Sequence, residues 1–340
     1  MPRSYWCLLI GLLLVGSERA VAWDYSGHRV VNLMALDNLP SDFPSFAKTP
    51  ASRERIAFLA GEADRWRNTP DLPLRHVNGP DHFFDIEDSK SYGVDLDHLT
   101  AFRYVFVEQL TRARIERPDK VPPVDKTKNF DRTRQFVGFL PWTILEYYGK
   151  LKSGFSYLKA YQNGGGTPEE IRQAQMNIVY IMGVMGHFCG DAAQPLHTTK
   201  HYNGWVGDNP NEYTTSRKIH SWIDGGFFRE IGGINQAQAS QGVRKARHLN
   251  TIRGRTDYIL PVIMKFIREQ HELVEPLYRL EKEGKLTGKS AKGKQGSPFM
   301  HGQIGKASGF LGDLWYTAYK NAPEDRYLLG VLAKRKLNGN

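Results

Sequence analysis

The chain has 340 residues, enough for one large domain or two small ones, and 40% of them are hydrophobic, an ordinary share for a protein with a packed core. Lysine and arginine number 46 against 36 aspartate and glutamate, so the net charge is +10 with histidine neutral. That balance suits an anionic partner such as nucleic acid or a phospholipid surface, although basic exported proteins also arise without one.

The first residues read as an export signal. Arg3 gives a positive start, 7–16 is apolar, and Ala20-Val21-Ala22 offers small residues before a cleavage point. The apolar run is too short for a permanent membrane anchor. Cleavage between Ala22 and Trp23 removes Arg3, Arg19 and Glu18, taking the net charge from +10 to +9. It also removes Cys7, leaving Cys189 alone and excluding an intrachain disulfide. The expected location is outside the cell or in a periplasm.

Residues 23–340 read as one all-α domain. Apolar spacing predicts helices over 26–36, 52–67, 99–115, 132–159, 168–190, 216–230, 255–283 and 302–322. Thr167-Pro168-Glu169-Glu170 is a helix start, with a cap, a proline in the first turn and two acids beside the positive dipole end. Pro141 is expected to kink or split the fourth helix. Segments 68–80, 118–129 and 202–213 read as loops, and 281–298 as a mobile basic loop. No Walker loop, Rossmann glycine pattern or zinc-ribbon cysteine set is present.

His187 and Asp191 stand four residues apart, which stacks an imidazole and a carboxylate on one helix face. Gln194-Pro195 then ends the helix and His197 follows, before His220 and Asp224 repeat the spacing. Two such pairs can converge on one cavity. Mixed histidine and carboxylate ligands without thiolate suit zinc. Asp64, His82 and His28 lie upstream, His28 five residues after Trp23.

On these residues the chain resembles the superfamily of zinc-dependent phospholipases C and S1/P1-type single-strand nucleases, from Trp23 to about Phe228. The resemblance implies a single multi-helix domain with a trinuclear zinc cleft. The first zinc falls to Asp64, His82, His187 and Asp191, and the second to His197, His220 and Asp224. The third falls to His28, a shared Asp191, and the amine and carbonyl of Trp23, whose amine is freed by cleavage.

The Trp23–His28 spacing, the 23-residue step from His197 to His220, Asp224 in place of a glutamate, and the Asp64–Arg67 pair resemble the nuclease branch. The resemblance therefore implies a secreted zinc endonuclease acting on single-stranded DNA or RNA, with 3′-nucleotidase activity as a further expectation. The alternative is a phospholipase C at a phospholipid surface. No protein partner is implied, and the chain is expected to be a monomer.

In the implied chemistry the metal centre activates a water, Asp64 orients it, and Arg67 contacts phosphate. The bland alternative for Arg67 is an ion pair with Glu62 or Asp64. Phe83 and Asp85 are implied to hold a base, with core packing as the alternative for Phe83. One departure is plain: after His197 the chain reads Thr-Thr-Lys-His-Tyr-Asn203-Gly-Trp205, without the nucleases' Asp-x-Gly-Gly-Asn stretch. Asn203 or Asn209 is the candidate substitute, and Trp205 a candidate stacking or lipid-contact residue. His76, His98, His201, His248, His271 and His301 lack a partner at ligand spacing and read as surface or structural, with His201, beside the site loop, the foremost exception; Cys189 reads as structural.

Overall fold

The computed structural model describes residues 23–253 and 256–338. The export signal at 1–22 lies outside the described residues. In chain order the helices are α1 (Tyr25–Asp37), α2 (Pro50–Leu59), α3 (Glu62–Arg67), α4 (Leu72–Asn78), α5 (Ile86–Ser91), α6 (Arg103–Glu116), α7 (Leu140–Gly164) and α8 (Pro168–Ala193). They continue as α9 (Ile219–Ser221), α10 (Phe227–Glu230), α11 (Gln236–Ala239), α12 (Leu260–His271), α13 (Val274–Lys282), α14 (Ser297–Asn321) and α15 (Arg326–Leu337). Among the described residues the only sheet is a two-stranded antiparallel hairpin at Ile252–Arg253 and Thr256–Asp257. The chain is all-α in class, as its patterning predicts.

The long helices α7, α8 and α14 pack on one another, with α1 against α8 and α14. Leu151, Met182, Ile304 and Leu311 are fully buried there. Each such side chain contributes roughly 1.5–3 kcal/mol of transfer free energy. The predicted start of α8 forms as a capping box: the Thr167 side chain accepts from Glu170 N and the Glu170 side chain from Thr167 N.

Glycines on one face of α8 let its neighbours close in. A Cβ on Gly186 would lie 1.6 Å from Asn32 Oδ1, and one on Gly190 would lie 2.6 Å from His28 Nδ1. The polar side chains of α1 therefore reach the backbone of α8, which places His28 beside Asp191.

Several boundaries differ from the sequence reading. The helix expected at 52–67 is divided at Ala60-Gly61, and the Ala60 carbonyl accepts from His187 Nδ1 at 2.7 Å. The helix expected from 132 begins at Leu140, with Pro141 in its first turn, where no amide hydrogen is needed; Pro141 starts the helix and does not kink it. Ahead of it, Gly138 has φ +96°, and a Cβ there would sit 2.0 Å from the Phe83 carbonyl oxygen. The segment read as a loop at 68–80 carries α4. The 255–283 helix separates into α12 and α13 at Glu272-Leu273. The 281–298 segment, read as a mobile loop, carries defined turns: Leu286 is buried, Gly296 N bonds Lys285 O, and the Leu286 carbonyl accepts from Trp222.

Candidate metal centre

The eight side chains singled out as ligands come from six places in the chain and meet in one buried cleft. α1 supplies His28, α3 Asp64, the turn Gly79–His82 supplies His82, and α8 supplies His187 and Asp191. His197 follows in the turn Pro195–Thr198, and the segment running from α9 through a π-helical turn (Trp222–Gly226) into α10 carries His220 and Asp224. They fall into three groups whose ligand atoms lie within 4.8 Å of one another: His28, His187 and Asp191; Asp64, His82 and His187; His197, His220 and Asp224. All eight are buried. His187 thus serves two groups, where the resemblance placed the sharing on Asp191 alone. Three buried histidine–aspartate clusters able to hold metal ions are present.

The π-helical turn widens the helix by one residue per turn, a local irregularity frequent at functional sites. It brings His220 Nε2 to 3.0 Å from Asp224 Oδ2 and 3.0 Å from His197 Nε2.

Ring tautomers follow from the backbone. His187 Nδ1 faces the Ala60 carbonyl at 2.7 Å, and His197 Nδ1 faces the His82 carbonyl at 2.6 Å. A carbonyl only accepts, so Nδ1 donates in both rings. In the neutral imidazole the Nε2 lone pair then points into the cleft. Those lone pairs meet His82 Nδ1 and His220 Nε2, each at 3.0 Å. Orientation of a ligand ring through its other nitrogen is the usual outer support of metal-binding histidines.

Protonation fits the same picture. Burial, with help from the neighbouring His187, lowers His28 to about 3, and burial and Arg67 lower His82 to about 4. Burial also lowers His197. Burial opposes ionisation of Asp191, but His187 and His197 outweigh it and hold the carboxylate well below its ordinary value. At neutral pH His28, His82 and His197 are therefore neutral around an ionised Asp191, while Asp191 and Asp64 outweigh burial and raise His187.

A cation fits this donor set. Buried atoms of His28 (both ring nitrogens), Asp64 Oδ1, His82 Nε2, Asp191 Oδ1, His220 Nδ1 and Asp224 Oδ2 have no hydrogen-bond partner. Tetrahedral ligands at ~2.1 Å from one ion lie roughly 3.4 Å apart. Separations of 3.4 Å (His187–Asp191), 3.5 Å (His28–Asp191) and 3.9 Å (His187–Asp64) are of that size. Oxygen and imidazole donors without sulfur suit zinc.

Trp23 is fully buried beside the cleft. Its indole donates to the Gly190 carbonyl at 2.9 Å, next to Asp191, and the following Asp24 N bonds the Asp224 carbonyl at 3.0 Å. Arg67 lies 3.4 Å from Asp64, while Glu62 pairs with Arg65. Phe83 is half-buried, so it is neither a core residue nor fully presented. Asp85 has a buried oxygen without a partner, and burial, with Asp88 and Glu87 nearby, raises its pKa well above the ordinary value. Asn203 likewise has a buried, unpartnered Oδ1.

Other candidates do not join the site. Asn209 closes its own loop on Tyr213. Trp205 stacks on His201 at 3.9 Å and packs against Tyr213 and Tyr278, so it is a loop-core residue and not a presented ring. His76 binds the Asp131 carbonyl, His98 Asp95, His248 Asn321, His271 Thr198, and His301 bonds Asn235 N. Cys189 is buried and free. Tyr202, which the sequence did not single out, has its ring 5.8 Å from His220 and 37% exposed. Its only signal was its place in the glycine-rich loop after His197.

Comparison with family models gives no match, and comparison with curated proteins gives none either.

Proposed function

We propose that the chain is a secreted or periplasmic zinc-dependent phosphodiester hydrolase of the phospholipase C/P1 nuclease type, acting on single-stranded DNA or RNA. The observation that carries this reading is the set of unsatisfied buried imidazole and carboxylate atoms arranged as three adjoining clusters. His28 and Asp191 with Trp23, then Asp64, His82 and His187, then His197, His220 and Asp224 would hold three ions. Zinc there supplies Lewis acidity toward a phosphoryl oxygen and lowers the pKa of bound water toward ~7.

The chain's own groups do the rest. Arg67, 3.4 Å from Asp64 and with its side chain 17% exposed, can reach non-bridging phosphate oxygens from the cleft wall. A planar guanidinium stabilises charge developing there. Phe83 offers a half-exposed ring for a base, a sequence-tolerant contact of ~1–3 kcal/mol. Asp85, whose pKa burial raises, can accept at the edge of that base and, where protonated, also donate. Asn203 offers an unpartnered acceptor in the loop after His197.

One observation favours the second reading, a phospholipase C. α4 follows the helix bearing Asp64, packs on the turn bearing His82, and buries none of its residues. Leu72, Leu74 and Val77 are 45%, 40% and 59% exposed, with Phe130 at 57% under Arg75. Such an apolar rim suits a lipid surface better than a solvated helix.

Mature protein beginning at Trp23 should hydrolyse single-stranded DNA and RNA, with activity abolished by chelator and restored by zinc. Cleavage confined to phosphatidylcholine vesicles would replace the nuclease with the phospholipase. Hydrolysis that persists after the metal is stripped would defeat both.

A further inference from the structure

Gln194 is fully buried between α8 and the turn that follows it. Its main chain joins two ligands: Gln194 N donates to the Asp191 carbonyl at 3.0 Å, and its own carbonyl accepts from His197 N at 2.9 Å. Its side chain reaches a third. Nε2 donates to Asp224 Oδ1 at 2.7 Å, while Oε1 accepts from Leu196 N at 2.6 Å. The amide has one possible orientation, since a carboxylate accepts and a peptide N–H donates. The consequence falls on Asp224. One of its oxygens is committed to Gln194, and the other, Oδ2, is left without a hydrogen bond, 3.0 Å from His220 Nε2.

We infer that Gln194 is a positioning residue: it turns the Asp224 carboxylate so that Oδ2 faces the His197–His220 pair, and it ties that cluster to the one at Asp191. This rests on the metal-binding reading above. The tie makes the second cluster's geometry depend on a residue that holds no ion. Loss of such outer partners typically costs 10–100-fold in metal affinity.

Glutamate and methionine separate positioning from packing. In Gln194→Glu the acceptor for Leu196 N survives, but the group facing Asp224 becomes a second carboxylate. Gln194→Met keeps the volume and removes both bonds. The readouts are bound zinc per chain, competition with a chromogenic chelator, and the visible absorption of the cobalt(II)-substituted protein. Gln194→Glu should weaken the most loosely held ion at least tenfold and change the cobalt spectrum, while helicity and the melting temperature of the chelated protein stay near wild type. Gln194→Met should show a smaller loss of affinity. Wild-type affinity, ion count and cobalt spectrum in Gln194→Glu would overturn the assignment. So would equal losses in both variants with an equal fall in the chelated protein's melting temperature, which marks a packing role. Should the glutamate variant fail to melt cooperatively, unchanged affinity in Gln194→Met overturns it. Wild-type protein that binds no zinc overturns the metal reading together with this one; a wild type that binds zinc with an indifferent Gln194→Glu overturns this one alone.

Discussion

Two polar clusters, each centred on a carboxylate, end in opposite states. Around Asp257 every acceptor is used: Oδ2 takes bonds from Tyr148 at 2.7 Å and Lys152 at 2.8 Å, and Oδ1 one from Thr251 at 2.6 Å. Asn321 joins the same group through Tyr148, Thr251 and Asp257. Around Asp191 the reverse holds, with seven atoms from the cleft's imidazoles and carboxylates lacking any hydrogen bond. An unsatisfied buried polar atom costs ~1–3 kcal/mol, so a fold does not keep a group of them without a ligand that compensates. Satisfaction thus separates a cluster that holds the fold together from one built for an occupant.

The largest effect that would sharpen this contrast comes from Arg67, at the cleft wall. Arg67→Ala should lower turnover on single-stranded DNA about 100-fold, the scale of one lost charge-stabilising donor. Zinc content, measured by elemental analysis, should not change; a parallel loss of zinc would make Arg67 a support for Asp64. The next effect belongs to the closed cluster. Asp257→Ala leaves Lys152 and two hydroxyls without their shared acceptor and should cost about 2–3 kcal/mol in denaturant unfolding. Its zinc stoichiometry should equal wild type, and a drop in stoichiometry would break the division between the clusters.

Much of the cleft was legible because its chemistry is written locally. The pairs His187/Asp191 and His220/Asp224 carry helical spacing in the sequence, and all eight ligand side chains meet where that spacing allows. Boundaries were harder to read, because tertiary contacts set them. The apolar period continues from α2 into α3, but the Ala60 carbonyl turns to His187, and no local signal announces a partner 127 residues away. The 132–139 segment is periodic yet runs beside Phe83, where Gly138 alone permits the approach. α4 escaped notice because its apolar residues, Leu72, Leu74 and Val77, give only one pair at helical spacing. Gln194 was visible only as the residue ending a helix. Its second role depends on where Asp224 lies in space.

The smallest effect tests the contrast through acid. His28, His82 and His197 resist protonation when folded, with His28 lowered to about 3 and His82 to about 4 against an ordinary 6.5. A depressed imidazole contributes its full stability above the unfolded value, and that contribution is lost as pH falls toward the folded value, because the unfolded chain takes up protons the folded chain refuses. His187 works in the opposite sense: burial opposes its charge, but Asp191 and Asp64 outweigh it and raise its pKa, so its contribution is present below 6.5 and is lost as pH rises through the raised value. Three histidines against one leave a net decline on acidification. Asp257 is also depressed, as Lys152, Thr251 and Tyr148 outweigh its burial, but a carboxylate below 3.8 gives up stability only under that pH. The cleft histidines should therefore take a few degrees from the chelated protein's melting temperature between about pH 6.5 and pH 4.5, with His201 and His301, which burial also lowers, adding to the decline and Asp85, which burial raises, opposing it. His28→Gln, which cannot take up a proton, should flatten that slope, and Asp257→Ala should leave it unchanged. A His28→Gln protein that keeps the wild-type slope would mean that the unsatisfied cleft does not govern acid stability, and the contrast between the two clusters would then rest on metal binding alone.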